Sequence, residues 1–481
     1  MTKNKFYITT SIAYTNANPH IGFALELIQA DVLARYNKAL GKNTFYLTGT
    51  DEHGKKVVKA AETAGKNSEE FTNEISEKFK FLAKALNVSN NDFIRTTDKN
   101  RHWPIVSKVW EKLEKNDDIY KKKYQGLYCV GCEAFITKKD LVNGKCRIHQ
   151  KETEIIEEEN YFFRLSKYQK NIEDAVKKDE IKIIPKERKK EILSFIKQGL
   201  EDVSFSRPRK DLKWGIPVPS DDSQVIYVWA DALINYISAL GYPDGEKFKK
   251  YWPADVHCLG KDILRFHSTI WPGILLSLGI SLPKNILVHG FITSDGQKMS
   301  KSLGNIVNPF SLIEKYGKDA VRYFLLREIP STQDGDFTYE KFQRRYNGDL
   351  AGGIGNLVSR TIALAKDFKP KISDSKFKNS IDKTKKEYKK SLDEFKFNES
   401  LISVWNLIGF CDKYIDEEKP WSFDSVQDKE KDEKVIGNLL SAISEIAELL
   451  KPFLPETSEK IFEQLKNNKS IPLFPRIRQK D

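Results

Sequence analysis

Residues 6–54 place the strongest constraint on what this chain can fold into. An apolar run, FYITTSI, leads into PHIGFALE and then into Leu25, Ile28, Val32 and Tyr36, apolar residues three or four apart. Gly41 ends that pattern, and TFYLTGTDEHG follows. The first and last segments read as strands, the middle as an amphipathic helix. Strand, helix, strand in this order is a βαβ unit, whose two strands have to run parallel because a helix carries the chain back. Ligands of parallel sheets bind beyond the carboxyl ends of the strands. The loops AYTNANPH and GTDEHG lie at those ends and are expected to converge on one crevice.

The same alternation returns later, in SQVIYVWADALINYI, in DVHCLGKDILRFHSTIWPGILLSLG and in a last strand, NILVHGFI. Between the two α/β stretches, residues 120–165 break into short strands and turns. From residue 346 onward only helical spacing remains. It is clearest over 435–454, where Val435, Ile436, Leu439, Leu440, Ile443, Ile446, Leu449, Leu450 and Phe453 share a face. The lysine-rich KFKNSIDKTKKEYKK reads as a solvated helix face or loop. A chain of 481 residues exceeds one ordinary core, so several domains are expected.

Charge and cysteine usage narrow the function. The 80 Lys+Arg against 68 Asp+Glu give a net charge of +12, which favours a polyanionic partner without requiring one. The longest apolar run, GILLSLGISL, is well short of a membrane span, and the N-terminus enters a strand at once. A cytoplasmic protein that avoids membranes is expected. Of five cysteines, three cluster in the pattern Cys129-x2-Cys132…Cys146-x2-His149, with Gly131 and Gly144 at the turns. Three thiolates and one imidazole at that spacing fit a tetrahedral Zn²⁺ site, filled by protein and therefore structural. Buried free cysteines or a redox pair leave the second C-x-x-H unexplained. Cys258 and Cys411 stand alone and read as small core residues.

KMSKS, residues 298–302, follows Gly296 in a polar loop. Its two lysines can act as mobile point charges on a nucleotide's phosphates. Alone it would read as a solvated basic loop; its pairing with PHIG in one α/β fold changes that. Together with YITTSIAYTNANPHIG, GTDEHG, IYVWADALINYI, LGKDILRFHSTIWP, GNLVSR and the inserted knuckle, the chain resembles the methionyl-tRNA synthetase family of class I aminoacyl-tRNA synthetases. The resemblance runs essentially from end to end. PHIGF matches three of the four positions of the HIGH motif, and KMSKS matches all five of its own.

The resemblance implies a Rossmann-type parallel α/β catalytic domain with a zinc-containing connective insert, followed by an all-α anticodon-binding domain. The expected boundaries are 1–114 and 212–285 for the two catalytic halves and 115–211 for the insert. Residues 286–345 hold the KMSKS loop and a linking region, and 346–481 the helical bundle. His20, Gly22, Lys298 and Lys301 would serve the ATP phosphates, and Gly260 and Asp262 the ribose. Asp51 would bind the methionine ammonium group. Tyr14, Trp229, Ala232, Tyr236, Ile263 and His267 would enclose the thioether, with Ser11 and Ile12 contributing backbone. Asn356, Arg360, Pro420 and Trp421 would meet the anticodon, where stacking faces and base-edge donors are needed. The implied partners are ATP with Mg²⁺, L-methionine and tRNA(Met), and the implied ligands of zinc are Cys129, Cys132, Cys146 and His149. The chain ends without an added C-terminal β-barrel, so a monomer is expected.

Rivals are a class I synthetase for another amino acid, a non-catalytic RNA-binding paralogue, or a small nucleotidylyltransferase of the same superfamily. The aromatic, apolar pocket set and the absence of a large editing insertion oppose the first. The intact KMSKS and the full helical third oppose the others. Phe23 replaces the second histidine of HIGH, and Ser11 and Ala13 also depart from relatives. A phenyl ring fills an imidazole's volume without donating a hydrogen bond. Phe23→His is therefore expected to change the rate of adenylate formation by less than about tenfold, or about 1.4 kcal/mol. A hundredfold rise in ATP–pyrophosphate exchange would show that the missing donor limits the site.

Overall fold

The computed structural model describes residues 4–131, 134–136, 141–148, 150–299, 303–365, 369–420 and 426–477. The chain forms two compact units. The first comprises Met1–Pro19, Asn37–Lys84 and Ser89–His289, the second His20–Tyr36, Ala85–Val88 and Gly290–Asp481.

The first unit is built on a parallel sheet, as the βαβ pattern requires. In spatial order its strands are Lys182–Ile184, Asn285–His289, Val256–Gly260, Lys5–Thr10 and Asn43–Asp51. Asp92–Arg95 and the short Ala13–Tyr14 both pair with Asn43–Asp51. The central strands are buried along nearly their whole length, which is why they read as continuous apolar runs without alternation. The single strand expected over NILVHGFI stops at His289, and Ile292–Ser294 joins a different sheet.

The broken pattern of 120–165 is an antiparallel insert in this unit. Its strands run in the order Val203–Ser204, Glu154–Phe163, Ile119–Cys129 and Ala134–Ile136. A small hairpin, Leu141–Val142 with Lys145–Cys146, turns through Asn143 and Gly144, both at positive φ (52° and 74°). That is the backbone an Asn-Gly hairpin turn supplies at low cost. Lys56 donates to the carbonyl of Gly131, tying the first cysteine knuckle to the helix Lys55–Thr63.

The second unit starts with most of the helix Ile21–Ala39 and holds a three-stranded sheet of Gln297–Lys298, Ile292–Ser294 and Gly335–Phe337. Gly290 is needed here, because a Cβ would lie 2.2 Å from the backbone of Gln333. Beyond residue 346 the regular elements among the described residues are helices, among them Asn356–Ala365, Ser375–Asp393, Phe397–Glu418, Val426–Leu450 and Pro455–Asn467. The lysine-rich segment is a helix, capped by Asp374 on the Lys376 N–H at 2.7 Å. It buries Phe377, Ile381, Thr384, Tyr388 and Leu392 at helical spacing, leaving most of its lysines outward. No helix among the described residues is long and apolar enough to cross a membrane.

Arg322 is fully buried at the centre of this unit. Its guanidinium meets Asp31 Oδ2 at 2.8 Å and donates to the carbonyls of Leu86, Pro452 and Phe453 at 3.2, 3.0 and 2.7 Å. Asp31, also fully buried, takes a second cation from Arg35 at 2.8 Å. One fork thus joins the first helix, the segment 85–88, the helix Lys318–Arg327 and the turn between Val426–Leu450 and Pro455–Asn467. Removing one member of a buried, hydrogen-bonded ion pair costs about 3–5 kcal/mol. Arg322→Met is expected to lower unfolding free energy by that amount in a denaturant titration. A loss below about 1 kcal/mol would mean the node contributes little.

Candidate functional site

Parallel pairing brings the predicted residues of the first unit to one sheet edge. Asp51 ends one strand, Gly260 its counterpart, and Ser11 follows a third, with its N–H on the Cys258 carbonyl at 2.9 Å. Ile12 packs against the core. Tyr14 pairs with Asp51 across the strands, and Thr15 holds the Asp51 carbonyl through N–H (2.9 Å) and hydroxyl (3.1 Å). The Asp51 residue is 8% exposed, and the half-buried Tyr14 ring lies under the Lys56 ammonium at 5.7 Å.

The loop after Asp51 is locked by charge. Glu52 is fully buried and accepts a two-pronged contact from Arg95, at 2.7 and 2.8 Å, and the Thr50 hydroxyl at 2.6 Å. Two parallel N–H···O bonds fix orientation as well as distance. Trp214 Nε1 donates to the Glu52 carbonyl at 2.5 Å. Glu52 is thus committed to structure.

The aromatic wall comes from the short helices Val228–Ala232 and Asn235–Ser238 and from the segment after Gly260. Trp229 stacks on Phe266 with centroids 3.9 Å apart and planes within 3°, and meets His267 edge-on at 6.2 Å. His267 Nδ1 lies 3.0 Å from the Ile263 carbonyl, which can only accept, so Nδ1 carries the proton. Nε2 therefore accepts the Tyr236 hydroxyl, 2.7 Å away. Behind Tyr236, His257 takes the Trp271 N–H on Nε2 (3.3 Å) and donates from Nδ1 to Thr9 (2.7 Å). Burial pushes the His267 pKa down to about 4, only partly opposed by the Ile263 carbonyl, and drives His257 well below its usual value. Both imidazoles are neutral near pH 7. Ala232 adds a small side chain, and its carbonyl takes the Asn235 amide at 2.6 Å. A soft, apolar, unbranched side chain suits such a wall better than a charged one.

Gly260 and Asp262 form a tight turn, with Ile263 N–H on the Gly260 carbonyl at 3.3 Å. A Cβ on Gly260 would lie 2.8 Å from Asp262 Oδ1, so glycine lets the exposed carboxylate fold over the turn. Phe266 and Asp262 also line a cavity of about 220 Å³ with Phe195, Tyr227, Arg207 and Arg265.

In the second unit His20 begins the first helix, its carbonyl accepting from Phe23 and Ala24 N–H at 3.1 and 3.2 Å. Its ring folds back so that Nδ1 accepts the Gly22 N–H at 3.1 Å, which leaves the proton of a neutral ring on Nε2. A Cβ at Gly22 would stand 2.8 Å from the ring, so only glycine admits this pose. Ile21 N–H meets the Val307 carbonyl at 3.3 Å, bringing the stretch just after KMSKS to the helix start. Lys298 is exposed on a hairpin whose turn, Asp295 and Gly296, has φ of 50° and 73°; its ammonium lies 5.9 Å from the Phe291 ring. Lys301 lies outside the described residues.

Asn356 is exposed at the first position of its helix, and Arg360, one turn on, pairs with Asp416 at 2.8 Å. That pair draws the helix toward the end of Phe397–Glu418, where Lys419 turns left-handed (φ 44°) before the buried Pro420. Trp421 lies outside the described residues. So do Cys132 and His149, while Cys129 and Cys146 are buried thiols. Among the described residues no three His, Cys, Asp or Glu gather as a metal site.

Sequence reasoning missed Phe266, whose one signal is its place beside His267. It also missed a buried cluster of Asp231, His53 and His102, residues about 50 and 130 positions apart along the chain that no spacing connects.

Two family descriptions match the chain: "tRNA synthetases class I (M)" over residues 6–146 and 136–362, and "Anticodon-binding domain of tRNA ligase" over 374–480. The methionine–tRNA ligase of Thermotoga maritima is 43% identical over 475 residues, 96% of this chain and 75% of the relative. That of Clostridium perfringens is 45% identical over 480 residues, 97% of this chain and 74% of the relative. The structure of Mycobacterium tuberculosis methionyl-tRNA synthetase in complex with methionyl-adenylate superposes with a TM-score of 0.93 at 36% identity, covering 98% of this chain and 100% of that one.

The neutral histidines predict an acid sensitivity. Their pKa is lowered on folding, so their contribution to stability is complete above about pH 6.5 and is lost as the pH falls below it, that of His267 as the pH approaches about 4. Unfolding free energy is expected to decline over that window, and more shallowly in His267→Gln. Identical slopes in both proteins would show that His267 is not buried neutral.

Proposed function

The chain belongs to the class I methionyl-tRNA synthetases, and from that premise we infer how its residues carry the activity. It joins L-methionine to ATP, giving methionyl-adenylate and pyrophosphate, and transfers methionine to the 3′ end of tRNA(Met). The observation that carries the reading of the pocket is the neutral wall of Trp229, Tyr236 and His267 at the sheet edge where Asp51 ends its strand.

Methionine is held by its two ends. The Asp51 carboxylate takes the ammonium group in a charge-assisted contact, and Ser11 and Ile12 contribute backbone. The thioether lies among Tyr14, Trp229, Ala232, Tyr236, Ile263 and His267. A protonated His267 would repel nothing on a neutral thioether but would raise the cost of burying the pocket, so its low pKa keeps the wall apolar.

ATP enters as its Mg²⁺ complex. Asp262, over Gly260, accepts from the ribose hydroxyls. His20 donates from Nε2 to the phosphates, helped by the N–H groups and dipole of the helix it begins. Lys298 and Lys301 follow the charge that develops on the pyrophosphate. The methionine carboxylate attacks the α-phosphate directly, one P–O bond forming as the bond to pyrophosphate breaks. No side chain has to act as nucleophile or base, and catalysis is positioning and electrostatic stabilisation. Asn356, Arg360, Pro420 and Trp421 read the anticodon, with Asp416 holding Arg360 in place.

Residues 1–114 and 212–285 form the catalytic halves, 115–211 the insert, 286–345 the KMSKS and linking region, and 346–481 the anticodon-binding bundle. Cys129, Cys132, Cys146 and His149 hold one structural Zn²⁺. The buried thiols of Cys129 and Cys146 and the Gln150 N–H on the Cys146 carbonyl, 2.7 Å, suit a knuckle of that kind. Bound there, zinc supplies folding energy to the insert and takes no part in the reaction.

Amino-acid-dependent ATP–pyrophosphate exchange should respond to methionine and to no other amino acid of a standard panel. A stronger response to cysteine or leucine would overturn the assignment of the pocket. Metal analysis should find about one zinc per chain, and zinc-free protein of full activity would refute that site. Gly22→Ala should leave the melting temperature unchanged or slightly raised, since Ala favours a helix by about 1 kcal/mol. It should nevertheless slow adenylation about 10²-fold, as His20→Ala should, because the ring can no longer fold back. Near-normal exchange in Gly22→Ala would show that the pose of His20 does not matter.

A further inference from the structure

Asp231 lies between Trp229 and Ala232 in sequence, is fully buried, and has a histidine on each carboxylate oxygen. Oδ2 is 2.6 Å from His53 Nδ1, and Oδ1 is 2.7 Å from His102 Nε2. A carboxylate accepts only, so both ring nitrogens carry protons toward it. His102 Nδ1 is then the acceptor of the Ser238 hydroxyl at 2.7 Å. His53, 1% exposed, sits between the rings of Trp103 (5.8 Å) and Trp214 (5.6 Å), and its Nε2 has no hydrogen-bond partner among the described residues.

These contacts join three stretches of chain. His53 is two residues beyond Asp51, on the loop that Glu52 and Arg95 lock. His102 precedes the helix Trp103–Lys115. Asp231 and Ser238 belong to the two short helices that bear Trp229, Ala232 and Tyr236. Each of those helices has five residues or fewer, too short to be held by its own backbone bonds. Something outside them has to fix their distance from the Asp51 loop.

We propose that Asp231 is a positioning residue for methionine. Through His53 and His102 it fixes the spacing between the carboxylate that takes the ammonium group and the aromatic wall that takes the thioether. This rests on the assignment of Asp51, Trp229 and Tyr236 given above. The cluster needs two N–H donors facing one carboxylate. Asn at 231 presents one amide N–H₂ to a ring N–H, so one histidine has to change tautomer or move away. The distance between the two ends of the pocket then becomes soft, and methionine binding weakens while ATP binding does not.

Exchange kinetics with the full chain test this, with methionine and ATP varied separately. Asp231→Asn and His53→Ala should each raise KM for methionine at least tenfold, with kcat within threefold and KM for ATP within twofold of the parent. His53→Asn should return KM for methionine to within threefold, because its amide can donate from the position of Nδ1. An unchanged methionine KM in either impaired variant overturns the proposal. So does an equal rise in both KM values, the mark of general loosening. If His53→Asn is as impaired as His53→Ala, the ring itself touches the substrate and the positioning role is wrong. Should Asp231→Asn fail to fold, the His53 pair decides alone. A parent protein without methionine-dependent exchange would instead sink the assigned function, whatever the variants do.

Discussion

Because Lys5–Thr10, Asn43–Asp51 and Val256–Gly260 are hydrogen-bonded as parallel neighbours, the chain leaves each of them at the same edge of the sheet. Antiparallel strands would have sent alternate loops to opposite ends. Everything proposed for methionine in the first unit follows from that edge. Ser11 and Ile12 leave one strand, Asp51 ends the next, and the Gly260 turn starts the segment that carries Ile263, Phe266 and His267. The loops between are held by buried polar contacts, Glu52 with Arg95 above all, since exposed turns alone would not keep a carboxylate in one place.

The groups assigned to binding divide by charge. The pocket wall is kept neutral by depth: desolvation holds His257 and His267 uncharged, and each ring nitrogen has one defined partner. Of the groups assigned to phosphates, Lys298 is exposed and His20 stands at a helix start, where charge is cheap to keep. Lys298 sits on a hairpin whose left-handed turn residues need little support, and His20 gains its orientation from one backbone N–H. Two buried carboxylates stand apart from this division: Asp51, assigned to the ammonium group, and Asp231, whose carboxyl burial would push up but which His53 and His102 hold below the usual range.

In the second unit the polar centre is Arg322. A guanidinium offers five donors in a rigid plane, and here they serve one carboxylate and three carbonyls at the ends of other elements. Carbonyls at helix ends have no partner within their own helix, so a buried arginine can close several ends at once. The helix Ile21–Ala39 is thereby joined to the helix Lys318–Arg327 and to the turn that follows Val426–Leu450 within one packed body.

Local periodicity and chemistry were legible in the sequence. The βαβ pattern dictated a parallel sheet, because a helix between two strands allows no other pairing of neighbours. The apolar stripe of 435–454 dictated a packed helix, and PHIG with KMSKS named the residue types a phosphate site uses. Trp229, Tyr236 and His267 could be proposed as a set only through resemblance, since each alone reads as core. What the tertiary structure decided is which distant groups meet. The break of NILVHGFI at Gly290 comes from a backbone that crosses there, and the stacking of Phe266 on Trp229 from two segments more than thirty residues apart. Asp231 with its two histidines, and Arg322 with Asp31, leave no trace in spacing. A sequence fixes the period of each element and the chemistry of each side chain. The partner of a buried charge is fixed only when packing has excluded water and left one group within reach.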